Sequence, residues 1–510
     1  MEEVWKLTLL NQFHDILPGS AIQEVYEESA GQYEDIRNAD ERLIYEAARS
    51  LTGMDGWMPE NGKKSLLLFN LLGFARSGAV FVDEETGTAL IESGLVAQEM
   101  TQHTEIEYQS GTGYLIQTGS VPGKGFRIVQ EEMEQQTAEG DWEASQDAEG
   151  VQIRTPFYEA QISAAGELTG LYDLEAGRQL RRADGAALNH LQIFQDRPLD
   201  YDCWNIDATY EEKEYPLPKP GFCRLIEQGP LRMTVMVQYQ FLKSTIVQEI
   251  HFYHYDRRID FETTLDWQEH QMLLKAAFPL DILSDHVTAE IQFGNVSRGL
   301  SRNTGWDQAR FEACAHKWID LSEADYGAAI LNDGRFGYDA TDQQLRLTLL
   351  KSGVSPNPQA DLGFHHFTYS LYPHMGDYRR GRVTEEAYAL NVPLRAWYAD
   401  ASLLQQRCGL DYSMARVEEP GVYVDTVKPS EDGQAVIVRM YEGYGARHKV
   451  HLDLQGLEPE SVTECDLMEN ALQEDGSLMP EDSGSVSFEI RPFEIRSFRV
   501  RIKGENQNVL

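Results

Sequence analysis

The chain reads as a mainly β protein in which a short N-terminal helical segment, a partial helix bundle, precedes antiparallel β-sandwiches, one large super-sandwich and smaller ones. Three observations predict this. Helical periodicity is confined to about the first fifty residues; the remainder is a series of short alternating or continuous apolar runs; and no amphipathic helices intervene between those runs. Strands without helical crossovers pair antiparallel and stack as sandwiches. With 510 residues, 42% hydrophobic and 10% aromatic, the chain can fill several cores.

In residues 2–17, Val4, Trp5, Leu9, Phe13, Ile16 and Leu17 recur at helical spacing as far as Pro18-Gly19, which predicts a helix stopping there. Ser20, with Gln23 three residues on, has the capping-box pattern and predicts the start of a second, long helix. Ile22, Val25, Tyr26, Tyr33, Ile36, Leu43, Ile44 and Ala47 mark its apolar stripe. Two helices make a poor core, so this helical domain, residues 1–55, is expected to need a partner. After Pro59-Glu60-Asn61-Gly62 the runs SLLLFN, GAVFVD, GYLIQT and GFRIVQ predict a small β-sandwich over 60–135, and the acidic stretch 131–149 a linker. Runs such as VQIRTPFYEAQIS, LRMTVMVQYQF and RIDFETTLDW predict the large sandwich over 150–400. GVYVDTVK, QAVIVRMYE and HKVHLDLQ begin a terminal sandwich over 405–510.

Lys and Arg number 44 against 83 Asp and Glu, a formal net charge of −39. Such a surface repels phosphate backbones and anionic lipid, so no nucleic acid and no membrane partner is expected, whereas neutral ligands such as sugars are compatible. The five cysteines, Cys203, Cys223, Cys314, Cys408 and Cys465, have no C-x-x-C spacing and suit a reducing compartment. The N-terminus lacks a basic region followed by an apolar one, and no run approaches the ~18 to 20 apolar residues of a membrane span. A cytoplasmic protein is expected.

Two segments combine residues that could carry chemistry. In WKLTLLNQFHDILPGSAIQEVY, Trp5 to Tyr26, the His14-Asp15 pair before a Pro-Gly turn sets an imidazole beside a carboxylate: one possible metal ligand and one possible hydrogen-bonding acid. The same pattern fits a packed or capping histidine. In DRPLDYDCWNID, Asp196 to Asp207, the carboxylates Asp200, Asp202 and Asp207 interleave with Tyr201 and Trp204. Aromatic faces stack on the apolar side of a pyranose and carboxylates accept its hydroxyl protons. An acidic surface loop with a packed Trp would read alike. His251 and His254 fall on opposite faces of a strand, as do the adjacent His365 and His366, so neither pair is expected to share an ion. Arg302 and Asn303 read as a turn-stabilising pair.

N-Q-F-H-D-x-L-P-G-S followed by a helix resembles the motif that opens the middle domain of glycoside hydrolase family 38 α-mannosidases. The Asp196 to Asp207 segment is similar to the D-R-P-L-D-x-D-A-W-D-I-D stretch of bacterial and cytosolic members, departing from it at Cys203 and at Asn205, where a charge is lost. The stretches 258–280, 301–333 and 361–374 follow in the family's order. The resemblance implies a retaining hydrolase of terminal α-linked mannose with a galactose-mutarotase-like large sandwich. It implies that His14 is the fourth ligand of an active-site zinc, that Asp15 faces the sugar, and that Tyr201, Asp202, Trp204 and Asp207 line the pocket. A retaining glycosidase needs two carboxyls about 5 Å apart. In the family those, and the other three zinc ligands, precede the N-Q-F-H-D motif, so no catalytic residue is expected in this chain.

The expected partners are therefore α-mannosides and an N-terminal catalytic half, encoded upstream or as a separate chain; a homo-oligomer is also compatible. Alone, the chain is expected neither to hydrolyse mannosides nor to keep zinc. The alternatives are a non-catalytic carbohydrate-binding β-sandwich protein using the Tyr201–Asp207 loop, and a structural sandwich. The motif around His14 favours the enzyme, since neither alternative has a reason to keep a zinc-ligand turn.

Overall fold

Strands dominate and all the named pairs are antiparallel, in agreement with the expected β-sandwich class. The computed structural model describes residues 1–52, 65–92, 95–101, 112–129, 140–341, 343–472, 477–478 and 484–503. The Pro59–Gly62 break lies outside the described residues, as does the expected linker up to residue 139. Beyond it, Glu143–Gln146 is a strand rather than linker. The chain divides into two compact units. The first holds Met1–Met54, Ala138–Ala289 and Ser297–Val383; the second holds Asp55–Thr137, Glu290–Val296 and Thr384–Leu510. The stretches read as small and terminal sandwiches thus share one unit.

In the first unit, α1 (Glu2–Leu10) ends well before the Pro-Gly stop. Asn11 is the reason. Its buried side chain donates to the Leu7 carbonyl at 3.0 Å and to Gln32 Oε1 at 2.7 Å, terminating the helix and tying it to α2 (Gln23–Thr52). Residues 11–19 are therefore turns, and His14 sits on one of them. The capping box expected at Ser20 does not form: α2 starts at Gln23, and the Ser20 hydroxyl turns back to the Asp15 carbonyl at 3.4 Å. No residue of α1 is buried, and Trp5, Leu9, Phe13 and Leu17 are each more than half exposed.

Strand alternation builds the large sandwich. Along Arg232–Phe241, Met233, Val235, Val237, Tyr239 and Phe241 are buried; along Ile259–Trp267, so are Ile259, Phe261, Leu265 and Trp267. These strands belong to a nine-stranded sheet. A six-stranded sheet carries Met272–Pro279, buried at every position, as its third strand. Such a strand is covered on both faces, which is why its sequence reads as a continuous apolar run. Phe261, Phe278 and Tyr369 form the aromatic centre, with Phe261 stacked on Tyr369 at 5.1 Å.

In the second unit, Ser65–Asn70 pairs with Arg395–Ala399 on one side and Gly125–Val129 on the other. The terminal sandwich packs Val436, Val438, Met440, Val450, Leu452, Val486, Phe498 and Val500 into one core. All five cysteines are free, and among the described residues no helix is long and apolar enough to cross a membrane.

Candidate active-site surface

The turn after α1 presents His14 and Asp15 to solvent. Their side chains are 76% and 53% exposed, with Nε2 and Oδ2 3.6 Å apart. Phe13, exposed beside them, packs its ring 4.4 Å from the imidazole. The turn is held from behind by Tyr26 of α2, whose hydroxyl accepts the Ala21 N–H and lies within hydrogen-bond distance of the Asp15 and Ile16 carbonyls. Burial pushes the Tyr26 hydroxyl's pKa up, and Asp361, Cys203 and Asp15 add to the shift. Tyr26 thus ties α2 to the turn that carries His14. Sequence reasoning missed the turn-closing role of Tyr26, which read as one more member of the apolar stripe.

The loop itself divides by side chain. Leu199, Tyr201 and Trp204 project outward, 89%, 70% and 59% exposed. Asp202, expected to line a sugar pocket, is buried: Oδ1 accepts the Ser355 N–H at 2.8 Å, and Oδ2 accepts Val354 N–H at 3.0 Å and Gln271 Nε2 at 3.2 Å. Asp207 is exposed, and one of its oxygens accepts the Leu199 N–H at 3.2 Å across the loop's base. Asp196 is buried against the Lys351 ammonium at 2.5 Å; burial raises its pKa and Lys351 opposes the rise. The two departures from the family stretch are also structural. Cys203 is buried with its thiol 3.9 Å from the Asn357 carbonyl, and Asn205 donates to the Asp200 carbonyl at 2.9 Å.

Beyond the loop, Tyr210 enters a buried ionic network. Lys275, wholly buried, contacts Glu312 and lies 2.7 Å from Asp339; Arg346 reaches Asp339 at 2.9 Å and the Tyr210 hydroxyl at 3.1 Å. Arg302 and Glu211 line a cavity of about 200 Å³ here, with Arg302 donating to the Phe311 carbonyl at 3.5 Å. A larger cavity, about 640 Å³, is lined by Asp285, His286, Asp320, Glu323 and Tyr378 and contains none of the expected site residues. His251 and His366 do meet, on the two oxygens of Glu262 at 3.1 and 2.9 Å, a cross-strand arrangement that in-strand spacing could not show.

Three stretches of the chain match known protein domains. Residues 1–51 match the alpha mannosidase middle domain, residues 153–359 the glycosyl hydrolases family 38 C-terminal domain, and residues 421–498 the family 38 C-terminal beta sandwich domain. Alpha-mannosidase G of Dictyostelium discoideum is 30% identical over 98% of this chain and 48% of its own length. Human alpha-mannosidase 2C1 is 32% identical over 92% of this chain and 42% of its own. The solved structure of an alpha-mannosidase from Enterococcus faecalis V583 shares the fold, with a TM-score of 0.73 and 16% identity over 98% of this chain and 63% of that one. A helical segment with a His-Asp turn, followed by stacked antiparallel sandwiches, is the architecture of a glycosyl hydrolase's middle and C-terminal regions. The chain belongs to glycoside hydrolase family 38, and it spans about half the length of the curated relatives it matches.

The family implies a metal cofactor. This chain's residues do not by themselves fit one: His14 offers a single imidazole, and among the described residues no group of three or more His, Cys, Asp or Glu is arranged to hold an ion.

Proposed function

We propose that the chain is the middle and C-terminal portion of a cytoplasmic, zinc-dependent α-mannosidase that hydrolyses terminal α-linked mannose with retention. The observation that carries this reading is the exposed His14-Asp15 turn, which lies in the stretch matched to the family's middle domain. His14 contributes one zinc ligand, the rest coming from a catalytic half outside these 510 residues; zinc supplies Lewis-acid chemistry when bound. Asp15 and the outward Tyr201 and Trp204 orient the sugar, and Asp207 keeps its second oxygen for a hydroxyl. The nucleophile and acid lie outside the chain, so the isolated chain is inactive.

Turnover of an aryl α-mannoside tests this, measured on the chain alone and combined with the family's catalytic half. Turnover should appear only in the combination, give the α-anomer first, and be lost on His14→Ala or chelation. Turnover by the chain alone would sink the division of labour. Mannoside binding by the chain with no turnover in the combination would favour the carbohydrate-binding alternative.

A further inference from the structure

We infer that Asp202 is a positioning residue rather than a sugar ligand: it latches the 199–207 loop to the 353–355 turn so that Tyr201 and Trp204 are presented outward as the recognition surface. What that surface recognises, the apolar faces of a neutral pyranoside, rests on the proposed function. The latch rests on geometry alone.

Both oxygens of Asp202 are engaged inside the protein, by two successive backbone N–H groups and the Gln271 amide. At 6% exposure the carboxylate has no open face for a hydroxyl. The clasp is reciprocal, since Cys203 N–H donates to the Ser355 carbonyl at 3.2 Å. Lys351 bridges the loop's beginning and middle: its ammonium pairs with Asp196 and donates to the Asp202 carbonyl. Gln271 spans the same two points, accepting the Asp196 N–H at 2.8 Å through its carbonyl while its side chain reaches Asp202.

The approach is close enough to need glycine at 353. A Cβ there would fall 2.7 Å from Cys203 Sγ and 2.9 Å from Cys203 N. Within the loop, the Trp204 and Asn205 N–H groups both donate to the Tyr201 carbonyl, at 2.7 and 2.8 Å. Tyr201 holds a left-handed φ of +55°, and its ring is exposed. Asp202 holds the loop from inside, and Leu199, Tyr201 and Trp204 face out. Aromatic faces fixed in advance lose little freedom on stacking against a sugar.

Asp202→Asn and Gly353→Ala open the latch by different routes, one by removing an acceptor and the other by steric intrusion. Tyr201→Ala and Trp204→Ala remove the surface and leave the latch. Hydrogen exchange on the 510-residue chain should accelerate about tenfold or more at Val354 and Ser355 in both latch variants, and in neither surface variant. Exchange in the sheets should stay unchanged. In the chain combined with a catalytic half, all four variants should raise KM for an aryl α-mannoside more than they lower kcat. Unchanged exchange in Gly353→Ala overturns the latch, even if Asp202→Asn does not fold. Raised KM with unchanged exchange in Asp202→Asn makes Asp202 a direct ligand. If the unmodified combination turns over no mannoside, the proposed function falls while exchange still decides the latch.

Discussion

The Tyr26 hydroxyl accepts the Ala21 N–H at 3.0 Å and reaches the Asp15 carbonyl at 3.2 Å, so one side chain of α2 closes the turn on which His14 stands. Tyr26→Phe keeps the ring and deletes these bonds. It should cost about 0.5–1.5 kcal/mol in urea unfolding and speed amide exchange at Ala21. A change confined to the far end of α2 would contradict this role.

His14 itself contributes nothing of that kind. With its side chain 76% exposed, His14→Ala should leave stability within about 0.5 kcal/mol of the parent. Dialysis of the isolated chain against a chelator should likewise leave its melting temperature unchanged, because a single imidazole does not hold an ion strongly enough to couple it to folding. Zinc retained at one equivalent by the isolated chain would refute this.

The buried network behaves oppositely. Lys275 neutralises Glu312 and Asp339 at zero exposure; Arg346 still covers Asp339 when it is gone, whereas among the described residues Glu312 keeps the Tyr210 hydroxyl, 3.0 Å away, and no second cation. Burial already raises the Glu312 pKa, with Lys275 opposing it. Lys275→Met should therefore destabilise by about 3–5 kcal/mol, read from equilibrium denaturation, and less in acid, where Glu312 protonates. A loss below about 1 kcal/mol would show that the network is not a paired unit.

Glu262 gives a pH signature. Burial opposes its ionisation, but the His251 and His366 imidazoles win and hold it well below the usual carboxylate range. The Glu262 hydrogen bond, with Asp333 and Glu249 assisting, raises the His366 pKa above its ordinary 6.5. A depressed carboxylate loses its contribution as pH falls through the folded value; a raised histidine loses its contribution as pH rises through its own. The stability difference between the parent and His366→Ala should therefore be largest from about pH 5 to 6.5 and shrink above it. Because His366 is 59% exposed, the difference is small and best read as a melting-temperature shift across a pH series. A difference that grows toward pH 9 would reverse the assignment.

How much was legible follows from what each signal depends on. Strand alternation depends on burial of one face, so runs such as Arg232–Phe241 announced themselves. The end of α1 depended on a tertiary contact, Asn11 with Gln32, and the periodicity overran it by several residues. Around the site, residue type showed which groups were suited to sugar chemistry but not which way they point. Asp202 and Tyr201 are neighbours of equal promise in sequence, and it is the Val354–Ser355 turn and Gln271, both distant in sequence, that draw one inward. The His251–Glu262–His366 cluster was invisible because its members come from three strands.

In the 199–207 loop the buried anchor Asp202 and the outward side chains Leu199, Tyr201 and Trp204 are different residues. Exchanging Leu199, Tyr201 or Trp204 for other side chains removes no anchor, and altering an anchor displaces all three together. What the tip prefers can therefore be retuned one substitution at a time without touching the carboxylate that fixes the scaffold beneath it.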